Sequence, residues 1–460
     1  MTSFTITANA DIALDSMDDS FHFDGRFSRY ADFRPTPSAD RQEPSMTDTP
    51  DHPDLVSRAG RVIAGATLAP GEIIRTDSFD VDATLADWAE KYRSTDDPDV
   101  REQIYGLYRR TSSVADLEPG LYRHFRNNPT SVANWFPLLH DAVALYDRYH
   151  APFFRLPDTR ILRLGPELAQ FLRIEYAETS PESRTLFNQI VAAALRLDLS
   201  PGSTYFLKTG VFSSKFEFTN ARCTEPDQAG EYFQAINNFA MTLGAGTTVD
   251  LCVREYIDPP ANTPTIYHGM PLRCEFRSFV NLDAGDTGGP WVLGLVPYWH
   301  PSVMERALFL GSQVPGMDHI RGDYVTYKAH RDELMCQFHE NRDLVIDRLT
   351  DLLPMLSRRG MRGAWSLDIM LSGTDFWIID MAPMAESALT DLLTVTDEYA
   401  AVDPVTLAGF TEPSELVYPE PEEPFRGEAI SVAGFEVEVW GRPAGTLRAG
   451  QRASDPAGTT

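Results

Sequence analysis

The chain has 460 residues, 43% of them hydrophobic, and a formal net charge of −27 at pH 7. This length predicts two or three packed units rather than a single core. So acidic a chain repels a polyanion, which argues against a broad nucleic-acid surface, whereas a small anionic ligand in a locally basic cleft is compatible with the charge.

The four cysteines, Cys223, Cys252, Cys274 and Cys336, show no metal-ligand spacing. Buried free thiols are the better interpretation, and they favour a reducing compartment. The N-terminal stretch lacks the basic start and apolar centre of a signal peptide, and no apolar run is long enough to span a bilayer. We therefore expect a cytoplasmic protein with no membrane partner.

The two ends of the chain differ in composition from its middle. Residues 1–55 are rich in Asp, Ser, Thr and Pro, which predicts a disordered acidic tail. Residues 56–200 are predicted to form an N-terminal α/β domain. Residues 401–460, rich in Pro and Glu, are predicted to be a largely irregular extension with one alternating run, Ala433–Trp440.

Apolar residues at helical spacing predict several helices, including three long ones. The first covers Val132–Tyr149, and its aromatic stripe is interpreted as core. The second covers Pro181–Leu197, with Ser180 placed to cap its start. The third covers Arg342–Arg359 and ends before a glycine.

Lysine is scarce in this chain, and two of the four lysines lie within one short stretch, Tyr205–Phe218. The pattern predicts a strand that ends at Lys208, a loop of small residues, and a second alternating strand that contains Lys215. An ammonium group is a compact charge that can follow a phosphate oxygen, which indicates an anion site. The alternative is a solvated hairpin whose lysines have no function.

Charged residues alternate along the strand predicted at Leu272–Val280. Arg273, Glu275 and Arg277 lie on one face of this strand, together with Phe279. Three charges cannot all be buried without partners. Either this face binds a charged ligand, or the strand lies at a solvated sheet edge.

Two further strands are predicted at 365–371 and 376–380, and each carries one acid within an apolar run, Asp368 and Asp380. A carboxylate among such neighbours is costly unless it is paired or binds a cation. Oxygen ligands of this kind suit Mg²⁺ carried by a nucleotide phosphate. The register of the connecting turn decides whether the two acids share a face. The alternative is that both acids pair with arginines.

The fragments FLKTGVFSSK, EFRSFV, WSLDIML and FWIID, in this order, resemble the nucleotide site of the ATP-grasp superfamily. They are most similar to the branch that contains the cell-division-cycle 123 chaperones, which assemble translation initiation factor two, and bacterial and phage relatives marked by one Arg and two Lys. PDTRIL lies where that branch has a Pro-x-Thr segment. The resemblance covers roughly residues 130–395. It implies an ATP-grasp core over 201–400, with a small lobe (201–258) and a large lobe (259–400) that clamp ATP.

The resemblance also implies roles for the cations and for the loop between them. Lys208 would contact a phosphate, and Lys215, on the mobile loop with Ser213 and Ser214, would close over the β- and γ-phosphates. Arg277 would stabilise charge on the transferring phosphoryl group. Lys215 and Arg277 are therefore the candidate catalytic residues.

For the nucleoside, the resemblance implies a hinge at Glu255, Tyr256 and Ile257, whose backbone would bind the adenine edge. Asp258 or a nearby residue could hold the ribose.

The resemblance implies that Asp368 and Asp380 hold Mg²⁺ ions that bridge the phosphates. One position departs from the superfamily pattern, which ends the metal site with an acid, any residue and Asn. The Asn position is Ala382 in this chain. Glu386 or water is the candidate substitute ligand.

Most of the superfamily activates a carboxylate as an acyl phosphate, which an amine then displaces. The first hypothesis is therefore an ATP- and Mg²⁺-dependent carboxylate–amine ligase acting on a small molecule or a peptide terminus, with Arg273 and Glu275 as candidate substrate contacts. The second is an ATP-binding assembly chaperone with little turnover and a protein partner. The third, a covalent nucleotidyltransferase, is disfavoured because Lys208 is followed by Thr209-Gly210 and lacks the acid or amide of that pattern.

Overall fold

The structure, a computed structural model, describes residues 90–97, 100–101, 104, 119–172, 180–200, 202–242, 248–283, 290–311, 319–390, 392–393, 420–421 and 424–441. Two main β-sheets with helices packed against them make up the described fold. The prediction of a mixed α/β (α+β) fold is confirmed. The predicted N-terminal tail lies outside the described residues.

The described strands are β1 (Phe154–Arg155), β2 (Thr159–Leu164), β3 (Tyr205–Thr209), β4 (Arg222–Cys223), β5 (Asp250–Glu255), β6 (Thr265–Ile266), β7 (Met270–Pro271), β8 (Glu275–Asn281), β9 (Trp291–Pro297), β10 (Ala364–Ser372), β11 (Asp375–Pro383), β12 (Glu428–Val432) and β13 (Phe435–Trp440). The described helices are α1 (Pro119–Asn127), α2 (Val132–Tyr149), α3 (Pro166–Leu172), α4 (Pro181–Leu195), α5 (Phe218–Ala221), α6 (Ala229–Thr242), α7 (Pro301–Gly311) and α8 (His319–Arg358). None of these helices combines the length and the apolar character needed to cross a membrane.

The first sheet has the strand order β1-β11-β10-β8-β9. All neighbouring strands in it are antiparallel except the pair β1 and β11. The long helix α8 packs against β9 and against α2. This arrangement buries the inner face of the sheet in the larger of two hydrophobic cores.

The second sheet has the strand order β12-β13-β2-β5-β3-β4 and is antiparallel throughout. On β5, Leu251 and Val253 belong to the smaller core, which also contains residues of α4 and α6. Cys252 and Arg254 therefore lie on the other face of β5, because successive strand residues alternate. Residues opposite each other share a face, and β3 places Lys208 opposite Cys252.

Two of the predicted helices have the predicted type and nearly the predicted bounds. Val132–Tyr149 is a helix with buried aromatic residues, and a helix covers Pro181–Leu195. Ser180 caps the latter, since its Oγ accepts a hydrogen bond from the Ser183 N–H at 3.2 Å. The third predicted helix also forms but begins much earlier, at His319.

The second strand predicted within Tyr205–Phe218 is wrong. Lys215–Glu217 forms a 3₁₀ turn, and helix α5 follows directly. Ser214 has a left-handed backbone with φ 48°, which turns the chain away from β3. The short strand β4 takes the edge position beside β3 instead. Lys215 consequently lies on a compact loop rather than opposite Lys208 in a hairpin.

The solvated-edge interpretation of the charged strand is also wrong. Strand β8 lies between β10 and β9, and all seven of its residues are buried. Its charged side chains therefore need partners inside the protein.

The second sheet takes strands from both sides of two predicted domain boundaries. Strand β2 precedes residue 201, and the hairpin of β12 and β13 follows residue 400, yet both belong to the sheet that contains β3 and β5. The described part of the C-terminal extension thus includes a regular hairpin. The domain boundaries themselves stay a prediction.

Three of the four cysteines, Cys223, Cys252 and Cys274, are buried free thiols, as predicted, whereas Cys336 is exposed.

Candidate functional site

A cleft lies where the β3–β5 part of the second sheet approaches β10 and β11 of the first. Its lining includes ten of the predicted site residues: Lys208, Ser213, Lys215, Glu255, Tyr256, Ile257, Arg273, Glu275, Asp368 and Asp380. The lining does not include four others, Ser214, Asp258, Arg277 and Glu386. Ser214 and Glu386 are buried elsewhere, and Asp258 is exposed. The two sheets thus bring most of the predicted site together.

A β-bulge sets the two acids of the cleft opposite each other. The hairpin closes with Ser372 opposite Asp375, and this register would pair Asp368 with Ile379. The register shifts after Asp368, so that Ile379 is an extra residue and Asp368 lies opposite Asp380. The two carboxylates therefore share one face of the sheet and point into the same cleft.

Lys208 and Asp380 form an ion pair across the cleft. Lys208 Nζ donates a hydrogen bond to Asp380 Oδ1 at 2.8 Å, and only 3% of the lysine side chain is exposed. Burial lowers the pKa of Lys208, and the charge of Asp380 only partly opposes this effect. Burial alone would raise the pKa of Asp380, but the charges of Lys208 and Arg254 outweigh it, and the pKa lies below its usual range. Burial thus opposes the charge of Lys208, whereas the neighbouring cations favour the charge of Asp380.

Lys215 rests on an aromatic ring rather than on a strong ion pair. Its Nζ lies 3.8 Å from the centre of the Tyr298 ring and 3.8 Å from Glu275 Oε2. Burial lowers the pKa of Lys215, but Tyr298, Glu275 and Asp368 outweigh it and the pKa is raised. Lys215 is thus a charged ammonium group, held by a ring face and a distant carboxylate.

Arg277, which is opposite Asp368 on β8 and outside the cleft lining, forms a pair with Asp368 through two hydrogen bonds. Its Nε and Nη2 donate to the two carboxylate oxygens, each at 2.7 Å. Only 4% of either side chain is exposed. Burial lowers the pKa of Arg277, but Asp368 outweighs burial and raises it. The predicted alternative, an acid that pairs with an arginine, therefore describes Asp368 in this structure.

Glu275 is a buried carboxylate with spare hydrogen-bonding capacity. Its Oε2 accepts no hydrogen bond within the described part of the chain and lies 3.8 Å from Lys215 Nζ. Burial raises the pKa of Glu275, which Lys215 only partly offsets, while Asp368 raises it further. Glu275 is therefore a carboxylate that burial predisposes to take up a proton.

The predicted hinge connects the cleft to the PDTRIL segment. The backbone N–H of Glu255 donates to the carbonyl of Asp158 at 2.8 Å, and Glu255 Oε2 accepts from the Asp158 N–H at 3.2 Å. The Ile257 carbonyl accepts a hydrogen bond from Arg273 Nη1 at 3.2 Å. Arg273, in the segment between β7 and β8, therefore holds the hinge by its Ile257 carbonyl.

Sequence reasoning missed Arg254. It lies on β5, lines the cleft and is 3% exposed. Its Nη1 donates to the carbonyl of the bulge residue Ile379. The available signal was a charge directly after the apolar triplet Leu251–Val253 of a predicted strand, because such a charge requires a partner when it is buried.

The cleft lining is electrically balanced, unlike the chain as a whole. Four cations (Lys208, Lys215, Arg254, Arg273) face four carboxylates (Glu255, Glu275, Asp368, Asp380), so the formal charge of the lining is zero. The formal charge of the chain is −27. An anion in the cleft therefore meets less repulsion than the net charge of the chain alone would suggest.

The acids of the cleft could bind a metal ion that is also coordinated by phosphate oxygens of a ligand. The described residues contain no group of three or more His, Cys, Asp or Glu side chains that could hold a metal ion. Ala382 offers no side-chain oxygen, and Asp368 uses both oxygens for Arg277. Mg²⁺ is commonly bound by one or two carboxylates together with substrate phosphates. Asp380 and the opposite Asp368 supply the one or two carboxylates that such a Mg²⁺ ion needs from the protein.

Comparisons with known proteins gave structural similarities only. No protein-family profile and no curated protein sequence matches the chain. The chain is similar to Cdc123 from Schizosaccharomyces pombe, with a TM-score of 0.32, 12% identity, and coverage of 59% of this chain and 92% of that one. It is also similar to D-alanyl-alanine synthetase A from Vibrio cholerae, with a TM-score of 0.25, 11% identity, and coverage of 64% and 62%. For phosphoribosylamine–glycine ligase from Thermotoga maritima the TM-score is 0.22, with 12% identity and coverage of 70% and 71%.

Proposed function

We propose that the cleft binds ATP with Mg²⁺ and that the protein is a ligase that joins a carboxylate to an amine through an acyl phosphate. The observation that carries this proposal is the convergence of Lys208 and Lys215 with Asp368 and Asp380 on one cleft. The lysines come from the second sheet and its loop, whereas the acids come from the first sheet. Their order along the chain is that of the ATP-grasp pattern.

Binding of a triphosphate would exchange the partners of the cleft charges. Lys208 now neutralises Asp380, and Lys215 lies 3.8 Å from Glu275. A phosphate oxygen is a better partner for an ammonium group than a carboxylate that must also bind a metal ion. In the proposed complex both lysines bind phosphate oxygens, and Asp380 is released.

Asp380 and Asp368 would hold the Mg²⁺ ion. The ion would supply charge neutralisation for the phosphates during phosphoryl transfer. The remaining contribution of this chain is electrostatic. Arg277, opposite Asp368 on the neighbouring strand β8, binds both carboxylate oxygens and would hold this carboxylate in one orientation.

Apolar side chains line the cleft and would form the base pocket. The apolar lining residues that the sequence did not indicate include Phe206, Phe218, Met270, Met370 and Ile379. Flat apolar walls with a few polar groups are typical of small-molecule sites. The hinge backbone at Tyr256 and Ile257 borders this region and would bind the adenine edge.

The acceptor would be a small molecule or a peptide terminus that reaches Arg273 and Glu275. Arg273 Nη1 also contacts Ser372 Oγ at 3.2 Å, so this arginine lies between the hinge and the end of β10. Glu275, with its raised pKa, would accept the proton that an attacking ammonium group must lose.

A second candidate function is ATP binding without appreciable ligase turnover, as in an assembly factor with a protein partner. One observation favours it. The position where the ATP-grasp pattern has Asn is Ala382, which is buried and uses its carbonyl to accept a hydrogen bond from Ser366 Oγ. Loss of a metal ligand affects transfer more than binding, because charge neutralisation is most needed in the transition state.

The test is thermal stabilisation by ATP and Mg²⁺. The wild type should gain melting temperature, and Lys215→Ala and Asp380→Asn should lose that gain, because each removes a group that binds the triphosphate or its metal ion. Lys328→Ala, an exposed lysine on α8, is the matched control and should behave as wild type. No stabilisation of the wild type would refute nucleotide binding.

Phosphate release from ATP with a panel of amines and carboxylates separates the two functions. Stimulated release supports the ligase. Stabilisation by ATP without stimulated release by any combination would leave the assembly factor as the function of the cleft.

A further inference from the structure

Arg254, a lining residue of the cleft, joins the two sheets. From β5 in the second sheet, its Nη1 donates to the carbonyl of Ile379, the bulge residue of the first sheet. The guanidinium carbon lies 5.0 Å from the centre of the Phe136 ring. The side chain is therefore fixed between an aromatic ring and the bulge.

The charge of Arg254 is incompletely satisfied. Its Nε and Nη2 are buried and have no hydrogen-bond partner among the described residues. Within the same residues no carboxylate lies at ion-pair distance from it, whereas the buried Arg277 and Arg163 each bind an aspartate directly. A buried guanidinium without an anion is costly, and its donors are normally satisfied.

A second unsatisfied donor lines the same cleft. Ser213 Oγ is buried and has no hydrogen-bond partner among the described residues. Lys208 also lies on the Arg254 face of the second sheet, since it pairs with Cys252. Three groups able to donate hydrogen bonds to an oxyanion thus border one space.

We infer that Arg254 binds an oxyanion of the ligand, a phosphate group of the nucleotide, through Nε and Nη2. This inference rests on the proposed function for the identity of the ligand. A guanidinium suits this role because its planar fork can bind two oxygens of one phosphate while a third N–H stays on another acceptor.

Arg254 is also a positioning residue for Asp380. The Ile379 carbonyl that it binds belongs to the residue that places Asp380 opposite Asp368. An anion on Nε and Nη2 would hold Arg254 in place and thereby the bulge. Phosphate binding and the position of Asp380 are therefore coupled through one side chain.

The experiment measures binding of inorganic tripolyphosphate and of ATP by calorimetry, in the wild type and in Arg254→Gln and Arg254→Lys. Arg254→Gln removes the charge, and Arg254→Lys keeps the charge but removes the fork. Each variant should bind tripolyphosphate and ATP about tenfold to a hundredfold more weakly than the wild type, the usual effect of losing hydrogen bonds to a charged group. Arg342→Gln, an arginine of α8 outside the cleft, is the matched control and should bind as wild type.

The positioning role has its own readout. If Arg254 holds the bulge, then Arg254→Lys and Asp380→Asn should be non-additive, so that the double variant binds Mg²⁺-ATP no more weakly than the weaker single variant. Additive losses would overturn the positioning role.

Hydrogen exchange of the wild type tests the same inference without any variant. Tripolyphosphate alone should slow exchange in 250–254 and 375–383, the two segments that Arg254 joins, whereas adenosine, which would contact the hinge at 255–257, should not slow it in either. Absence of this protection, or unchanged affinities in both Arg254 variants, overturns the inference. If ATP stabilises the wild type while the variants bind normally, the proposed function stands without Arg254. If tripolyphosphate binds through Arg254 but ATP binds no more tightly, the inference stands and the nucleotide function falls.

Discussion

Lys208 and Asp380 are 172 residues apart in the sequence, and their Nζ and Oδ1 atoms are 2.8 Å apart in the structure. This pair connects β3 of one sheet with β11 of the other. It also combines one group proposed to bind phosphate with one group proposed to bind the metal ion. The two charges therefore neutralise each other, and a ligand that binds both groups must separate them.

Removing either partner of this pair alone should destabilise the protein, because the remaining charge is then buried without a partner. Lys208→Met leaves a buried carboxylate, and Asp380→Asn leaves a buried ammonium group. We expect each to lower the free energy of unfolding by about 3 kcal/mol. The double variant should be less destabilised than the sum of the two, because no buried charge is left unpaired. Denaturant unfolding of the four proteins measures this, and additive losses would show that the pair does not contribute as a unit.

Much of the fold was predictable because it depends on local periodicity. The aromatic stripe of Val132–Tyr149 and the cap at Ser180 are set by neighbouring residues, and both formed as predicted. The charged face of β8 was also readable, since alternation fixes which residues share a face.

The features that could not be predicted depend on the backbone conformation of single residues or on contacts between the sheets. The left-handed residue Ser214 converted the predicted second strand of the hairpin into a turn and a helix. The extra residue Ile379 decided the register of the acids, which the sequence left open. The role of Arg254 depends on contact with the other sheet, and no local pattern reports such a contact.

Gly210 should not tolerate a side chain. A Cβ atom at this position would lie 2.3 Å from Ser131 Oγ and 2.4 Å from Thr248 Oγ1. Ser131 Oγ donates to Asp250 Oδ2 at 2.5 Å, and Asp250 is the buried partner of Arg163. Gly210→Ala would therefore displace a hydrogen bond of a buried ion pair, and we expect a loss of about 2 kcal/mol or more.

Gly322→Ala is the control for this substitution. Gly322 lies in α8, and a Cβ atom there would contact nothing within 4 Å. Alanine should stabilise the helix by about 0.5–1 kcal/mol. Thermal unfolding should therefore move in opposite directions for the two variants. A melting temperature of Gly210→Ala equal to that of wild type would contradict the packing described around Ser131.

The contribution of Glu275 to the free energy of unfolding should fall as the pH rises above about 4.5. Its folded pKa is raised by burial above the ordinary value of 4.5. Between 4.5 and the folded pKa, the folded protein binds more protons at this group than the unfolded chain does, so deprotonation on raising the pH favours unfolding. The contribution is fully present below the unfolded pKa and is lost as the pH rises through the folded pKa.

Glu275→Gln should remove this component. The difference in free energy of unfolding between wild type and variant should change with pH from about 4.5 upward, in favour of the wild type at the acid end. Urea unfolding at a series of pH values measures the difference. Glu305→Gln, an exposed acid on α7, is the control and should give a flat difference. A flat difference for Glu275→Gln would show that burial does not perturb this carboxyl.

The exchange of partners at Lys208 predicts opposite effects of Asp380→Asn with and without Mg²⁺. Without the metal ion, an ATP phosphate must compete with Asp380 for Lys208, so that removing the carboxylate charge should strengthen ATP binding, by about tenfold. With Mg²⁺, the same substitution removes a metal ligand and should weaken binding. Calorimetry in EDTA and in Mg²⁺ measures both, with Asp343→Asn, 92% exposed on α8, as the control. Weaker binding in both conditions would mean that Asp380 does not compete with the nucleotide for Lys208, because release of the lysine would then have no effect on the phosphates.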